Sequence, residues 1–208
     1  MLEFYFSKGS SALAAHILLL ETGVDFEAIE VSIAKSAHLQ PAFLRRNPKG
    51  RVPALGTPLG IITENPAILE YIATLQPQAP LMPEGAFAQA QCRSLCAYLC
   101  ATAHVAAAHR HRGKRWAQQA ASHQDMAAQV PGNLQACADF LETDLALAPW
   151  AFGADYSFCD PYLFQFTRWL AAAAIPLEGH PKLAAHKAAM LARPATQAAL
   201  QAHDLTSV

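Results

Sequence analysis

The dipeptide Val52-Pro53 is a candidate binding edge for a small peptide-like molecule. The pair precedes an apolar hairpin pattern. Because proline has no N–H, Pro53 cannot extend a strand ladder, and the backbone groups of Val52 are left for another partner. The bond between them can also be cis, which would turn the chain sharply and aim these groups at a neighbouring molecule. The pair therefore predicts a binding edge.

Glu64-Asn65 follows the hairpin and opens a helical pattern that contains Ile68 and Leu69. The N-terminus of a helix has unpaired N–H groups and partial positive charge, which suit a carboxylate ligand. The Glu64 carboxylate could hold an ammonium group. Together with the Val52 edge, these features meet the needs of a γ-glutamyl peptide. A Pro-kinked hairpin before an ordinary capped helix is the alternative.

Ser10 and Ser11 lie immediately before another predicted helix. A hydroxyl at this position can donate a hydrogen bond to an anion, which is worth roughly 1.5–3 kcal/mol. For a bound thiol with an ordinary pKa of about 8.5, this corresponds to a pKa lower by roughly one to two units. Since the thiolate is the nucleophilic form, either serine could activate a thiol ligand. Either could instead be only a helix N-cap.

The sequence NPKGRVPAL, followed after a short turn by ITENPAILEYIA, resembles the glutathione-binding half of cytosolic glutathione transferases, most closely the bacterial beta class. In element order and spacing the resemblance extends to about Ala202. It implies an enzyme whose bound glutathione, as co-substrate, attacks a small hydrophobic electrophile, and a homodimer without a metal. The glutathione-binding positions are then Lys35, Arg51, Val52, Pro53, Glu64 and Asn65.

The catalytic positions depart from the beta class. Ser11 stands where that class has a cysteine, with one extra residue in the turn, so Ser10 is the alternative. Serine cannot form a mixed disulfide with glutathione, and the resemblance then implies activation through a hydroxyl. His104 corresponds to an active-site histidine of the helical domain and could titrate near neutrality. The asparagine that usually precedes it is Ala97 here.

Other functions stay open. The same site could serve a glutathione-dependent isomerase or a dehalogenase, and the departures at Ser11 and Ala97 would also fit a non-catalytic glutathione-binding or interaction protein. A basic cluster between residues 104 and 115 could line the cleft and attract anions, or be a solvated helix end. Nucleic-acid binding through it is disfavoured by a net charge of only −1.

The composition indicates a non-membrane protein with a large apolar surface. Apolar residues make up 53% of the 208 residues and charged residues 15%, against about 25% in a typical protein. A subunit interface or an open hydrophobic cleft would use such a surface. There is no signal-peptide pattern and no long apolar run. The five cysteines have no disulfide framework spacing, so we expect reduced thiols and a cytoplasmic location.

The predicted elements place these residues in two domains. Residues 1–76 should form an α/β thioredoxin-like domain of order βαβαββα, with strands at 2–6 and 26–33, a helix at 12–22, a short helix at 41–46, and the hairpin and helix that follow. A proline-rich linker should occupy 77–85. An all-α domain at 86–208 should supply the electrophile cleft, with helices near 86–112, 122–147, 158–174, 181–192 and 194–202. Ser157 and Asp160 fit a capping box, so Asp160 should be a folding residue.

Overall fold

The computed structural model describes residues 1–75 and 81–205, so residues 77–80 of the predicted linker lie outside the described part of the chain. The N-terminal elements are β1 (Leu2–Phe6), α1 (Leu13–Thr22), β2 (Phe26–Glu30), α2 (Pro41–Leu44), β3 (Ala54–Thr57), β4 (Gly60–Thr63) and α3 (Asn65–Ala73). The C-terminal helices are α4 (Ala86–Tyr98), α5 (His104–Arg112), α6 (Ala120–Asp144), α7 (Asp160–Ala172), α8 (Pro181–Leu191) and α9 (Pro194–Ala202). Within the described residues, no helix combines the length and apolarity needed to span a bilayer.

The strands form one mixed sheet in the order β2-β1-β3-β4. β1 runs parallel to β2, with Leu2 opposite Phe26, and antiparallel to β3, with Phe4 opposite Leu55. β3 and β4 form the predicted hairpin. The thioredoxin-like arrangement and the helical C-terminal region confirm the predicted fold class.

α1 is buried on nearly all sides because it lies between the sheet and the C-terminal helices. Leu18 belongs to the core cluster that includes Phe4 of β1. Leu13 and Ile17 pack instead with Phe164 of α7. A helix that is apolar all round is typical of such a position. The turn before α1, which carries the two serines, therefore lies where the two regions of the chain meet.

Two elements differ from the sequence-based prediction. β2 ends at Glu30 and not at residue 33. The N–H of Val31 still donates to the backbone carbonyl of Phe6, but the N–H of Ile33 donates instead to the Ser7 hydroxyl across 3.1 Å. The helix predicted over 86–112 is interrupted by a π-helical turn at Leu99–Ala103. Such turns hold an extra residue and are frequent at functional sites. The faces of α5 are therefore rotated relative to those of α4.

Asp160 is fully buried at the start of α7 and accepts hydrogen bonds from neighbouring segments. Its carboxylate accepts the N–H of Ser157 across 2.8 Å, which is the predicted capping contact, and the N–H of Ala151 across 2.8 Å. The Ser157 hydroxyl donates to the same carboxylate, 3.0 Å away. His186 lies 3.1 Å from Asp160. These contacts support a folding role.

Candidate active site

A cavity of about 440 Å³ lies between the N-terminal domain and the C-terminal helices. Its volume is within the range of small-molecule sites, roughly 300–1,000 Å³. One wall comes from the turn before α1, the segment before β3 and the start of α3. The opposite wall comes from the π turn, α5, α6 and α7. The cavity therefore joins the segments that the sequence singled out.

Val52 and Pro53 line the cavity, and the peptide bond between them is cis. The buried side chain of Asn47 shapes the preceding turn, because its Nδ2 donates to the carbonyl oxygen of Arg51 across 2.7 Å. Gly50, at φ 60°, completes that turn, and a Cβ there would lie 3.1 Å from the carbonyl oxygen of His38. In the described ranges, no hydrogen bond engages the backbone of Val52. This edge can pair with a bound peptide.

Glu64 and Asn65 line the cavity at the start of α3. Glu64 has a φ of 75°, and non-glycine residues in such conformations cluster at functional sites. Its half-exposed carboxylate accepts a hydrogen bond from Lys49 Nζ, 2.6 Å away, and Lys49 also donates to the Thr63 hydroxyl. A ligand ammonium at Glu64 would compete with Lys49.

Asn65 connects the start of α3 to the turn before α1. Its Nδ2 donates to the carbonyl oxygen of Ser11 across 3.1 Å. Its Oδ1 is buried and has no hydrogen-bond partner among the described residues. Buried polar atoms are nearly always paired in proteins, so this oxygen is available to a donor group on a ligand.

The two serines differ in what their hydroxyl groups contact. The Ser10 hydroxyl donates to the carbonyl oxygen of Ser7 across 2.7 Å and accepts the N–H of Ala12. Ser10 is therefore occupied in the turn. Ser11 lines the same cavity, 9% exposed, and no described residue forms a hydrogen bond with its hydroxyl. Only the Ser11 hydroxyl is left for a ligand.

His104 lines the cavity from the first residue of α5 and stacks on Trp169, with ring centroids 4.9 Å apart and an interplanar angle of 20°. Burial, with the nearby Arg112 and Arg115, lowers the pKa of His104 to about 4. The expectation that it titrates near neutrality was therefore wrong. At neutral pH the imidazole is uncharged and can donate one hydrogen bond and accept another.

Two cavity residues were missed by the sequence analysis. The Tyr162 hydroxyl is fully buried near the side chains of Cys100 and Asn65. Nδ1 of His38 is buried and has no hydrogen-bond partner among the described residues. Burial raises the pKa of Tyr162, so it is a neutral hydroxyl at physiological pH. A tyrosine two residues after the Asp160 cap was a signal, because buried tyrosines usually need a partner for the hydroxyl.

Lys35, in contrast, is exposed and is not among the residues that line the cavity. The chain leaves the sheet after Val31, and the N–H of Lys35 donates to the Ser32 hydroxyl in a local turn. From this loop, Ile33 and His38 reach the cavity. The structure thus does not bring Lys35 together with the other predicted glutathione-binding residues.

The cavity wall is strongly basic. Its cationic residues are Arg51, Arg110, Arg112 and Arg115. In the described part of the chain, none of these arginines forms an ion pair with a carboxylate. Burial, together with Arg51, lowers the pKa of Arg112. The sequence left open whether the basic cluster lines the cleft or is a solvated helix end. The arginines of this cluster line the cleft.

Across residues 1–75 and 81–205, no cluster of three or more His, Cys, Asp or Glu residues could hold a metal ion.

The chain is similar to known proteins. Residues 4–74 match the family model for the glutathione S-transferase N-terminal domain. The chain is 31% identical to glutathione S-transferase GST-4.5 of Xanthomonas campestris pv. campestris, over 98% of this chain and 100% of that relative.

Two solved structures extend the similarity to the whole fold. The first is a glutathione transferase homolog from Sulfitobacter with bound glutathione, with a TM-score of 0.94, 40% identity, and coverage of 97% of this chain and 98% of that chain. The second is the beta-class glutathione S-transferase of Sphingomonas chungbukensis, with a TM-score of 0.80, 32% identity, and coverage of 98% and 100%. The chain therefore belongs to the glutathione S-transferase family.

Proposed function

We propose that this protein is a glutathione transferase that binds glutathione in the cavity between its domains and transfers the thiolate to a small electrophile. The residues that carry the proposal converge on this cavity, and they are Ser11, Val52, Glu64 and Asn65. The unpartnered buried oxygen of Asn65 gives a specific reason to expect a ligand with a donor group there. The glutathione bound in the Sulfitobacter relative supports the identity of that ligand.

The proposed binding mode follows from the charges of glutathione. The backbone N–H and C=O of Val52, which precedes the cis bond to Pro53, form hydrogen bonds with the cysteinyl backbone of the ligand. The γ-glutamyl carboxylate lies at the N-terminus of α3, where the helix favours an anion. Its ammonium group contacts Glu64, displaces Lys49 and donates a hydrogen bond to the unpartnered Oδ1 of Asn65. The glycine carboxylate contacts Arg51, the cation adjacent to Val52, and Lys35 has no part in this proposal.

The Ser11 hydroxyl activates the thiol. It donates a hydrogen bond to the sulfur of bound glutathione, and the N-terminus of α1 adds favourable charge. Both effects favour the thiolate, which then forms a bond to an electrophilic carbon while the leaving group departs with the electron pair of the broken bond. The neutral His104, held by Trp169, donates a hydrogen bond to the sulfur or to the leaving group. Trp169 and Val105 give the electrophile an apolar wall.

We also propose that the chain has domains at 1–76 and 86–208 joined by a linker at 77–85, and that the protein is cytoplasmic.

We further propose that the protein is a homodimer. Phe87 of α4 and Phe140 of α6 have 77% and 47% of their surface exposed. A subunit interface that covers these two helices would bury both side chains. Sedimentation equilibrium of the full chain tests the dimer, and a monomer at micromolar concentration would contradict it.

The ultraviolet absorbance of the glutathione thiolate, followed as pH is raised in the presence of the protein, tests this function. For the wild-type protein we expect a bound-thiol pKa at least roughly one unit below the ordinary value of about 8.5. Ser11→Ala should still bind glutathione but lose that shift, whereas the matched control Ser10→Ala should keep it.

The outcomes separate the other functions that the sequence left open. Glutathione binding with an unshifted pKa and no turnover would favour a non-catalytic binding protein. Turnover that isomerises a double bond without a stable glutathione adduct would favour an isomerase, and halide release with a reduced product would favour a dehalogenase. No binding of glutathione would refute the proposal.

A further inference from the structure

The helical wall of the cavity carries more positive charge than glutathione can neutralise. Glutathione brings two carboxylates and one ammonium group. In the proposed mode, the N-terminus of α3 and Arg51 take the carboxylates, and Glu64 takes the ammonium. This leaves Arg110, Arg112 and Arg115, which line the opposite wall of the same cavity and have no carboxylate partner in the described part of the chain. Of these three, Arg112 and Arg115 act electrostatically on His104.

These two arginines lie beside the place where the electrophile must react. Arg112 ends α5, and Arg115 lies in the turn that follows it. Both act electrostatically on His104, which stacks on Trp169. Trp116, 45% exposed, follows directly and also lines the cavity. The wall therefore combines aromatic surface with two unpaired guanidinium groups.

A solvated helix end would not need this arrangement. Basic residues near a helix C-terminus are favourable by themselves, but those of a surface helix are normally free in water. Arg112 is instead partly buried, and burial together with Arg51 lowers its pKa. Arg115 is more exposed, but partial burial and the charges of Arg112 and Arg51 lower its pKa as well. Guanidinium groups crowded on one cavity wall repel each other, and an anion between them removes the repulsion. Arginine binds carboxylates with two parallel hydrogen bonds.

We propose that Arg112 and Arg115 form a carboxylate subsite for the second substrate, so that the preferred electrophile is a small carboxylate-bearing molecule with an apolar or aromatic body. This inference rests on the proposed function and narrows its substrate class. It narrows the small hydrophobic electrophile expected from the sequence to one that also carries a carboxylate.

A matched pair of electrophiles tests the subsite. Chlorodinitrobenzoate and the neutral chlorodinitrobenzamide react in the same way: the thiolate forms the sulfur–carbon bond, the carbon–chlorine bond breaks, and chloride leaves. We expect the wild-type kcat/KM to favour the benzoate by about tenfold or more. Arg112→Gln and Arg115→Gln should each reduce this ratio by about tenfold. Arg45→Gln, which removes an exposed positive charge outside the cavity, should leave the ratio unchanged.

A second readout covers the case in which neither compound reacts. Dinitrobenzoate and dinitrobenzamide, which lack the leaving group, should quench the fluorescence of the cavity tryptophans on binding. Tighter binding of the benzoate, lost in both arginine variants, supports the subsite. Equal binding, or a preference that survives both variants, overturns it.

Glutathione affinity, measured by calorimetry without electrophile, separates this inference from the proposed function. If both arginine variants lose glutathione affinity instead of the benzoate preference, the arginines bind glutathione and the subsite is refuted, while the proposed function stands. If the wild-type protein does not bind glutathione, the proposed function fails, and the fluorescence comparison still decides whether the arginine pair binds a carboxylate.

Discussion

The side-chain amide of Asn65 donates a hydrogen bond to the backbone carbonyl of Ser11 across 3.1 Å. This contact joins the first residue of α3 to the turn before α1, although 54 residues separate them in the sequence. It holds the proposed carboxylate site and the proposed thiol-activating hydroxyl in one geometry. Asn65 is therefore both a structural residue and a binding residue in our proposal.

Asn65→Ala should reduce both stability and glutathione affinity. The substitution removes one of two donors to the Ser11 carbonyl, which keeps the N–H of Ala14, so the lost hydrogen bond should cost about 0.5–1.5 kcal/mol. We expect a lower urea midpoint and a glutathione Kd at least about tenfold higher by calorimetry. Thr74→Ala, just beyond the other end of α3, is the matched control, because the exposed Thr74 hydroxyl makes only a local contact to Tyr71. Unchanged glutathione affinity in Asn65→Ala would remove Asn65 from the binding site.

Glu64→Gln should lose glutathione affinity with little loss of stability. The Glu64–Lys49 ion pair is half exposed, and such pairs contribute about 0–1 kcal/mol. Losing the charge opposite the ligand ammonium costs more, and we expect a Kd at least about tenfold higher. Lys49→Gln should have the opposite effect, because it removes the cation that competes for Glu64.

Glu70→Gln serves as the control for Glu64→Gln. Glu70 pairs with Arg93 across 2.7 Å outside the cavity. Its loss should not change glutathione binding. If Glu64→Gln and Glu70→Gln have the same effect in calorimetry, Glu64 does not contact the ligand.

His104→Gln should lower kcat without moving the inflections of the pH profile. The pKa of His104 is lowered to about 4, so the imidazole is neutral through the working range and acts only through a hydrogen bond. Loss of one neutral hydrogen bond, about 1 kcal/mol, corresponds to roughly fivefold in kcat. An inflection near pH 6.5 in the wild-type profile that disappears in His104→Gln would show that His104 titrates there and contradict this assignment.

Stability should fall in weak acid because of the buried pair His16 and His203, whose facing nitrogens lie 3.2 Å apart. Burial lowers the pKa of His16 to about 4, and burial with the His16 charge lowers that of His203 to about 3, against an ordinary 6.5. Between these values the unfolded chain binds more protons than the folded one. The free energy of unfolding therefore decreases as pH falls below about 6.5, by up to about 1.4 kcal/mol per pH unit for each histidine.

Urea unfolding at about pH 7 and about pH 5 measures this dependence. The double variant His16→Gln/His203→Gln should show a smaller difference between the two pH values than the wild type. His111→Gln, at an exposed position, should keep the wild-type difference. A double variant with an unchanged pH dependence would show that other groups cause the acid sensitivity.

The sequence by itself determined the elements whose signals are local. Pro53 cannot join a strand ladder whatever the rest of the chain does, and the start of α3 follows from the residues around Glu64. The approximate positions of most strands and helices are also local, since alternating and helical apolar patterns depend only on near neighbours.

The tertiary structure decided which neighbouring residue faces the cavity. Ser10 and Ser11 are equivalent in the sequence, but only Ser10 finds a carbonyl, that of Ser7, within reach. Lys35 and His38 occupy one loop, and the way this loop leaves β2 turns His38 toward the cavity and leaves Lys35 exposed.

The sequence could not predict which residues of α5 line the cavity, and the reason is geometric. The π turn at Leu99–Ala103 adds one residue, which rotates everything after it by about 100° relative to a uniform helix. A uniform 3.6-residue pattern therefore could not assign Arg112 to the cavity. The lowered pKa of His104 also depends on tertiary structure, because its burial and the nearby charge of Arg51 arise only when segments distant in the sequence pack around it.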